Sequence, residues 1–268
     1  MCIRDRYILR EKIRKKAKAL GVDLVGFLNV NDYSSPRSPD PKHFLRSARS
    51  IITLAFRAIT GEHTSPKPWS WMPSFFYCPE TLAQTTCYQL ARFLENTYKA
   101  RSFIVQAHRP FEFTEESFRA PVGTVSLRHS AVQSGLAVFG KNTLALTKEY
   151  GPRVLFMGLL TSLDIESDSP ITDYDPCSSC SYPCWENCPG KAFTEDRRVL
   201  SHRCTKHSQP YDLGNLMRFL IEMAGKSTMD ERLAMLKGPR FFNHMQYLQG
   251  YIYYQCWECT KACPPSTT

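Results

Sequence analysis

Apolar residues recur at helical spacing from the start of the chain. Ile8, Leu9, Ile13, Ala17 and Leu20 share one side of a predicted helix over Tyr7–Leu20, and Gly21 ends it. Asp23–Val30 then reads as a strand, and Asn31–Pro41, rich in Ser, Pro and Asp, as a loop. Ser50–Phe56 is a buried-strand candidate. Thr60–Pro73, with three prolines and two tryptophans, suits an irregular loop. A second helix is predicted over Pro79–Tyr98, with Leu82, Leu90, Phe93, Leu94 and Tyr98 on its inner side. Phe103–Ala107 returns as a strand, and Ser126–Val138 reads as a third helix. Thr143–Thr147 and Arg153–Thr161 flank a Tyr150-Gly151-Pro152 turn, which predicts a hairpin. Helices and strands mix without strict alternation, so the expected class is α+β.

At Asp164–Pro176 the pattern gives way to acidic and polar residues, and the domain boundary is placed here, at 170. Residues 1–170 form the expected α+β domain. Residues 171–268 form a second domain whose pattern is set by cysteine and proline, with one helical insert over Leu213–Ala224.

The chain has 268 residues, 43% of them hydrophobic and 22% charged, enough for a real core. Its longest apolar runs, such as Val154–Leu160, are too short to cross a bilayer, and no secretory apolar region opens the chain. The expectation is a cytoplasmic protein with no membrane partner. Met1–Arg6 (MCIRDR) resembles the translation of a sequencing adapter and is set aside, with Cys2. The net charge of +9 owes +6 to residues 1–20, where eight Arg and Lys face Asp5 and Glu11. A solvated helix face explains that excess better than a phosphate-binding surface does.

Eleven cysteines change the picture most. Eight lie in two runs and a single position between them. The first run is Cys177-x2-Cys180-x3-Cys184-x3-Cys188-Pro189, the second Cys256-x2-Cys259-x3-Cys263-Pro264, and Cys204 stands between. A cubane needs four thiolates on four irons. Three closely spaced cysteines can wrap one face, and the cysteine before proline ligates the other cluster in two-cluster ferredoxins. That logic assigns Cys177, Cys180, Cys184 and Cys263 to one 4Fe–4S cluster, and Cys188, Cys204, Cys256 and Cys259 to another. Two four-thiolate zinc sites are the competing reading, although zinc ribbons prefer separated C-x2-C pairs. The gap before Cys184 is one residue longer than in the bacterial ferredoxin run, with Pro183 the extra residue. Cys78 and Cys87, in or beside the second helix, read as buried inert thiols.

Gly135–Asn142 falls one residue short of a phosphate-binding loop: Asn142 replaces the hydroxyl, and a helix, not a strand, precedes it. The stretch Ser134–Leu146 (SGLAVFGKNTLAL), the segment through Asp164 and the two cysteine runs instead resemble the epoxyqueuosine reductase-like family, related to corrinoid reductive dehalogenases. Leu20–Gly26 and Ala48–Ile52 extend the resemblance towards the N-terminus. It implies a nitroreductase-like corrinoid-binding domain followed by a two-cluster ferredoxin-like domain. It also implies cobalamin beside the two clusters, with Gly140, Lys141 and Asn142 near the corrin and the clusters delivering electrons to cobalt. A small ferredoxin or flavodoxin would supply them, and tRNA is the implied substrate carrier. The family's acidic residue ahead of the glycine segment falls here on Pro121, while Arg128 aligns. Glu115, Glu116 and His129 are nearby, but no residue is assigned a catalytic role. A ferredoxin-type electron carrier or activator without its own substrate is the alternative function.

Overall fold

The computed structural model describes residues 3–63, 73–107, 123–196, 199–250 and 256–264. The chain divides into two compact units. Unit 1 holds residues 1–63, 73–182 and 263–268; unit 2 holds 64–72 and 183–262. The units part between Tyr182 and Pro183, and the second cysteine run returns to unit 1 at Cys263.

Unit 1 is built on an antiparallel sheet of β1 (Leu24–Asn29), β2 (Ser50–Arg57), β6 (Val154–Thr161) and β3 (Ser102–Val105), in the order β1-β2-β6-β3. The two central strands are buried along nearly their whole length. Alternate residues therefore feed two cores. Ile52, Leu54, Phe56, Leu155, Met157 and Leu159 pack beneath α1 (Ile3–Ala19) and α3 (Pro73–Tyr98). Ile51, Ala55, Val154, Phe156 and Leu160 face α4 (Leu127–Gln133) and the small sheet of β4 (Ala137–Phe139) and β5 (Ala145–Thr147). A four-residue α2 (Thr60–His63) follows β2.

Two glycines let α4 and its C-terminal turn lie close on the sheet. A Cβ on Gly158 would come within 2.9 Å of Leu127 Cδ2, and one on Gly26 within 2.5 Å of Ser134 Oγ. Between them, Thr53 Oγ1 and Ser130 Oγ share a buried hydrogen bond of 2.6 Å.

Two expectations are corrected. The third helix stops at Gln133, because Gly135 takes a positive φ of 69° and the chain turns back as β4. The predicted hairpin does not form either: β5 pairs with β4, whereas β6 inserts between β2 and β3. The Tyr150–Pro152 turn is present, closed by Thr147 and Gly151, but β6 is long and apolar on both faces and belongs in the centre of a larger sheet.

The acidic stretch after β6 is no free linker at its start. Asp168 N donates to Phe27 O (2.9 Å), Phe27 N to Asp168 Oδ2 (3.0 Å), and Asn29 N to Ser167 Oγ (2.8 Å), which caps the outer edge of β1. Arg10 and Arg14 on α1 pair with the Asp168 carboxylate, and Arg6 with Asp164. Much of the basic N-terminal face is thus spent within the fold.

Unit 2 is helical in its described residues: α5 (Pro183–Glu186), α6 (Ser201–Ser208), α7 (Leu213–Ala224), α8 (Met229–Leu236), α9 (Pro239–Gly250) and α10 (Glu258–Lys261), with one isolated bridge between Phe193 and Val199. The predicted insert helix coincides with α7, which Asp212 caps. A Thr228–Glu231 capping box starts α8. Phe219 of α7 is buried against Phe241 and His244 of α9. Among the described residues no helix is long and apolar enough to cross a membrane.

Candidate metal centre

In unit 2, four cysteines from three separated stretches influence one another electrostatically. Cys188 follows α5, Cys204 lies on α6, and Cys256 and Cys259 flank the start of α10. Burial raises the Cys256 thiol most, and the charges of Glu258, Cys204 and Cys188, in that order, raise it further against a backbone hydrogen bond from Glu258 that lowers it. Cys259 is pushed up to about 12, first by burial, then by Cys256, Cys204 and Cys184. Cys204, whose residue surface is exposed, is raised by partial desolvation of its thiol and by the charge of Cys188. Thiols that perturb one another in this way resist becoming thiolates together unless a cationic metal group offsets the repulsion, and binding such a group would release protons.

The surrounding backbone suits such a group. The turn after Cys188 points Ala192 N at Cys188 Sγ (3.4 Å), and α6 lies so close over it that a Cβ on Gly190 would meet Arg203 O at 2.8 Å. Trp185 stacks on Phe193 at 5.9 Å and 7° beside this turn. The edge of α6 that carries Cys204 is exposed and basic, with His202, Arg203 and Lys206.

Unit 1 holds Cys177, Cys180 and Cys263; Cys184 lies on α5 of unit 2. Cys177 and Cys263 both act on the Tyr174 hydroxyl, whose pKa is raised by burial first and then by these two sulfurs. Arg153 Nη2 donates to Cys263 O (3.0 Å); burial lowers this guanidinium's pKa and the Cys263 charge opposes that. Lys141 N donates to Cys177 Sγ (3.4 Å) and Tyr182 N to Cys180 Sγ (3.4 Å). Amides aimed at sulfur are the groups that set the potential of an iron–sulfur cluster. The sequence reading missed Tyr182, Arg153 and Tyr174. Tyr182, with a φ of 60°, lies within the first cysteine run between Cys180 and Cys184, but nothing in its identity marks that conformation.

Gly140, Lys141 and Asn142 form a tight turn between β4 and β5. A Cβ on Gly140 would sit 2.6 Å from Leu146 Cδ1, and the buried Asn142 spends its Oδ1 on Leu144 N (3.1 Å). Lys141 directs its amide at Cys177, and its ammonium hydrogen-bonds Tyr182 Oη and lies over that ring at 4.2 Å. Arg128 braces the turn by donating to Thr143 O (2.8 Å). The three residues shape the turn and, through the Lys141 amide, contact Cys177.

His129 hydrogen-bonds Ser126 Oγ (2.7 Å) and packs on Phe139, and its pKa is lowered by burial and by Arg128, so it is neutral near pH 7. Glu115, Glu116 and Pro121 lie outside the described residues. Cys87 is fully buried with a thiol pushed up to about 12 by burial, while Cys78 lies where side chains are not described. Among the described residues no group of three or more His, Cys, Asp or Glu is drawn together tightly enough to hold a single metal ion. A cubane asks for something different, since each sulfur binds its own iron.

No protein-family model matches the chain. It is similar to the epoxyqueuosine reductase of Lactococcus garvieae (strain Lg2), 28% identical over 223 residues, covering 74% of this chain and 60% of that protein. The enzyme of the same name from Bacillus subtilis (strain 168) is 24% identical over 220 residues, covering 74% and 55%. The chain thus spans 60% or less of these curated relatives. In fold it is similar to an epoxyqueuosine reductase solved with a tRNA-Tyr epoxyqueuosine-modified tRNA stem loop (TM-score 0.62, 20% identity, 97% of this chain and 66% of that one). It is also similar to a reductive dehalogenase whose structure suggests a mechanism for B12-dependent dehalogenation (TM-score 0.55, 18% identity, 88% and 35%).

Proposed function

From its similarity to proteins named epoxyqueuosine reductase, we propose that the chain is an iron–sulfur oxidoreductase with two 4Fe–4S clusters. The observation that carries this reading is the mutual electrostatic influence of Cys188, Cys204, Cys256 and Cys259, which come from three stretches of sequence within unit 2. Their donor chemistry fits a cluster: four thiols, an amide on the Cys188 sulfur, and desolvation that disfavours free thiolates at Cys204, Cys256 and Cys259. Cys177, Cys180, Cys184 and Cys263 are the proposed ligands of the first cluster.

Within that function the chain's own residues tune and deliver electrons. Lys141 N, Tyr182 N and Ala192 N hold cysteine sulfurs, and Arg153 sets a positive charge beside Cys263. The exposed basic edge of α6 suits a small acidic reductant such as a ferredoxin or flavodoxin. A corrinoid is the electron acceptor suggested by the likeness to B12-dependent dehalogenases. It supplies a metal that takes up electrons and passes them to substrate, and no described residue is assigned to hold it. Transfer RNA is the substrate carrier suggested by the relatives' name.

Anaerobic purification with cobalamin present, followed by iron, sulfide and cobalt analysis, tests the reading. About eight irons and one cobalt per chain support it. Eight irons without cobalt, even after reconstitution, leave an electron carrier or activator. Zinc in place of iron overturns the cluster assignment itself.

A further inference from the structure

At the far end of the unit 1 sheet lies a hollow of about 870 Å³ that the electron-transfer function does not use. It opens where β1 and β6 end and β2 begins, lined by Asn29, Ser162 and the loop leading into β2. Arg153 and Cys263 stand at the opposite end of β6, about 25 Å away at the rise of an extended strand. The hollow is separate from the cysteines of this unit.

Its walls are cationic. Arg6, Lys42, Arg46 and Arg49 line it against a single carboxylate, Asp164. That carboxylate is taken by Arg6 at 2.8 Å. Lys42 Nζ reaches only the neutral Asn31 Oδ1, at 3.2 Å. Among the described residues neither Arg46 nor Arg49 has an ion-pair partner. The fold holds these groups together: Ala48 N closes a turn on Leu45 O (2.8 Å), Arg49 N bonds Thr161 O (2.8 Å), and Val30 N bonds Arg49 O (2.9 Å). Concentrating like charges at a sheet end raises self-repulsion, and nothing in the sheet requires it.

A second observation says what is missing. Ser47 Oγ, in the wall, is buried and has no hydrogen-bond partner among the described residues. A hydroxyl can donate. An unsatisfied buried donor beside exposed guanidinium groups that have no ion-pair partner suits a ligand rich in acceptor oxygens and negative charge. The concavity has the volume of a small-molecule site, larger than an inorganic anion needs.

We propose that this hollow binds a small phosphate ester of nucleotide size, with Arg46 and Arg49 gripping phosphate oxygens, Lys42 adding charge and Ser47 Oγ donating. The site does not depend on Arg6, because the other three cations and Ser47 suffice to define it. The proposal is independent of the corrinoid and of the cluster assignment.

Isothermal titration calorimetry on the full chain at low ionic strength tests it, with pyrophosphate and ATP as probes. Saturable binding of both, each displacing the other, is expected. The double variant Arg46→Glu/Arg49→Glu should weaken ATP by about tenfold or more. Lys12→Glu/Lys15→Glu, which reverses two exposed charges on α1, should change affinity by less than about twofold. Ser47→Ala alters no charge and should cost a few-fold, which keeps the test open if the double variant misfolds. No saturable binding, or equal losses in both double variants, overturns the proposal. So does a short RNA hairpin whose binding is lost in the Arg variant while pyrophosphate fails to displace it, for that outcome makes the face a nucleic-acid surface.

Discussion

Replacing Asp168 with alanine removes one acceptor from three donors at once. Its carboxylate takes Phe27 N at 3.0 Å, Arg14 at 3.1 and 3.2 Å, and Arg10 at 3.2 Å, and its side chain is 21% exposed. Arg14 also lies over the Phe27 ring at 5.1 Å, so the group is packed as well as paired. A charge-assisted bond to a backbone amide at an otherwise covered strand edge is worth about 1.5–3 kcal/mol. Each ion pair, partly screened, adds about 0.5–1 kcal/mol. The sum is about 3 kcal/mol, or about 6–12 °C in the melting of a unit this size. Differential scanning calorimetry reads it, with Asp168→Asn as the companion, since Asn keeps an acceptor for Phe27 N and loses the charge. Asn should cost about half as much as Ala. A shift under about 2 °C for the alanine variant would refute the view that this strap anchors β1.

Other expectations follow from the same geometry. Cys204→Ser should halve the iron content, because α6 supplies no other sulfur to its set; unchanged iron would remove Cys204 from the ligands. Arg153→Gln should lower the potential of the first cluster by on the order of 50–100 mV, the worth of a nearby unit charge at an effective dielectric of ~20–40, as read by EPR-monitored titration. Cys87, with its thiol at about 12, should resist iodoacetamide at pH 8 in the folded chain and react on unfolding, as peptide mass spectrometry reports. His129 is depressed in the fold, so its contribution is present above the unfolded pKa and lost as pH falls through the folded one. Acid melting curves should flatten in His129→Gln between pH 7 and 5.

Long, strongly patterned elements were legible in the sequence. The helix under Ile13 and Ala17 announces itself by period, the strands around Phe27 and Leu54 by continuous apolar runs, and the insert helix at Leu213 breaks a stretch otherwise set by cysteine and proline. The misread region is short and glycine-rich. Gly135 ends α4 early by taking a positive φ, and β4 and β5 have three residues each, too few for a periodic signal. The partner of β6 is a long-range choice that local turn chemistry does not encode, so the Tyr150–Pro152 turn suggested a neighbour that the sheet overrode. The cysteine runs, proposed as cluster ligands, were legible by spacing alone. The residues that serve them were not: Arg153 and Tyr182 are ordinary in sequence, and Lys141 acts on Cys177 through its amide, a group every residue but proline carries. The helices α8 and α9 escaped notice because their apolar residues, among them Met229, Leu233 and Phe242, are largely exposed and make no clean stripe.

The placement of α4 has a reach beyond packing. The helix seats itself on Gly158 and meets Gly26 at its end, its Arg128 fixes Thr143 O, and the turn so fixed presents the Lys141 amide to a sulfur. A methyl group added at either glycine would lift the helix, and the displacement would arrive at Cys177 as a lengthened N–H···S contact. The sheet would then register a steric error as an electrical one. Variants chosen for nothing but side-chain volume, far from the proposed ligands, become a means of detuning the proposed redox centre while leaving those ligands in place.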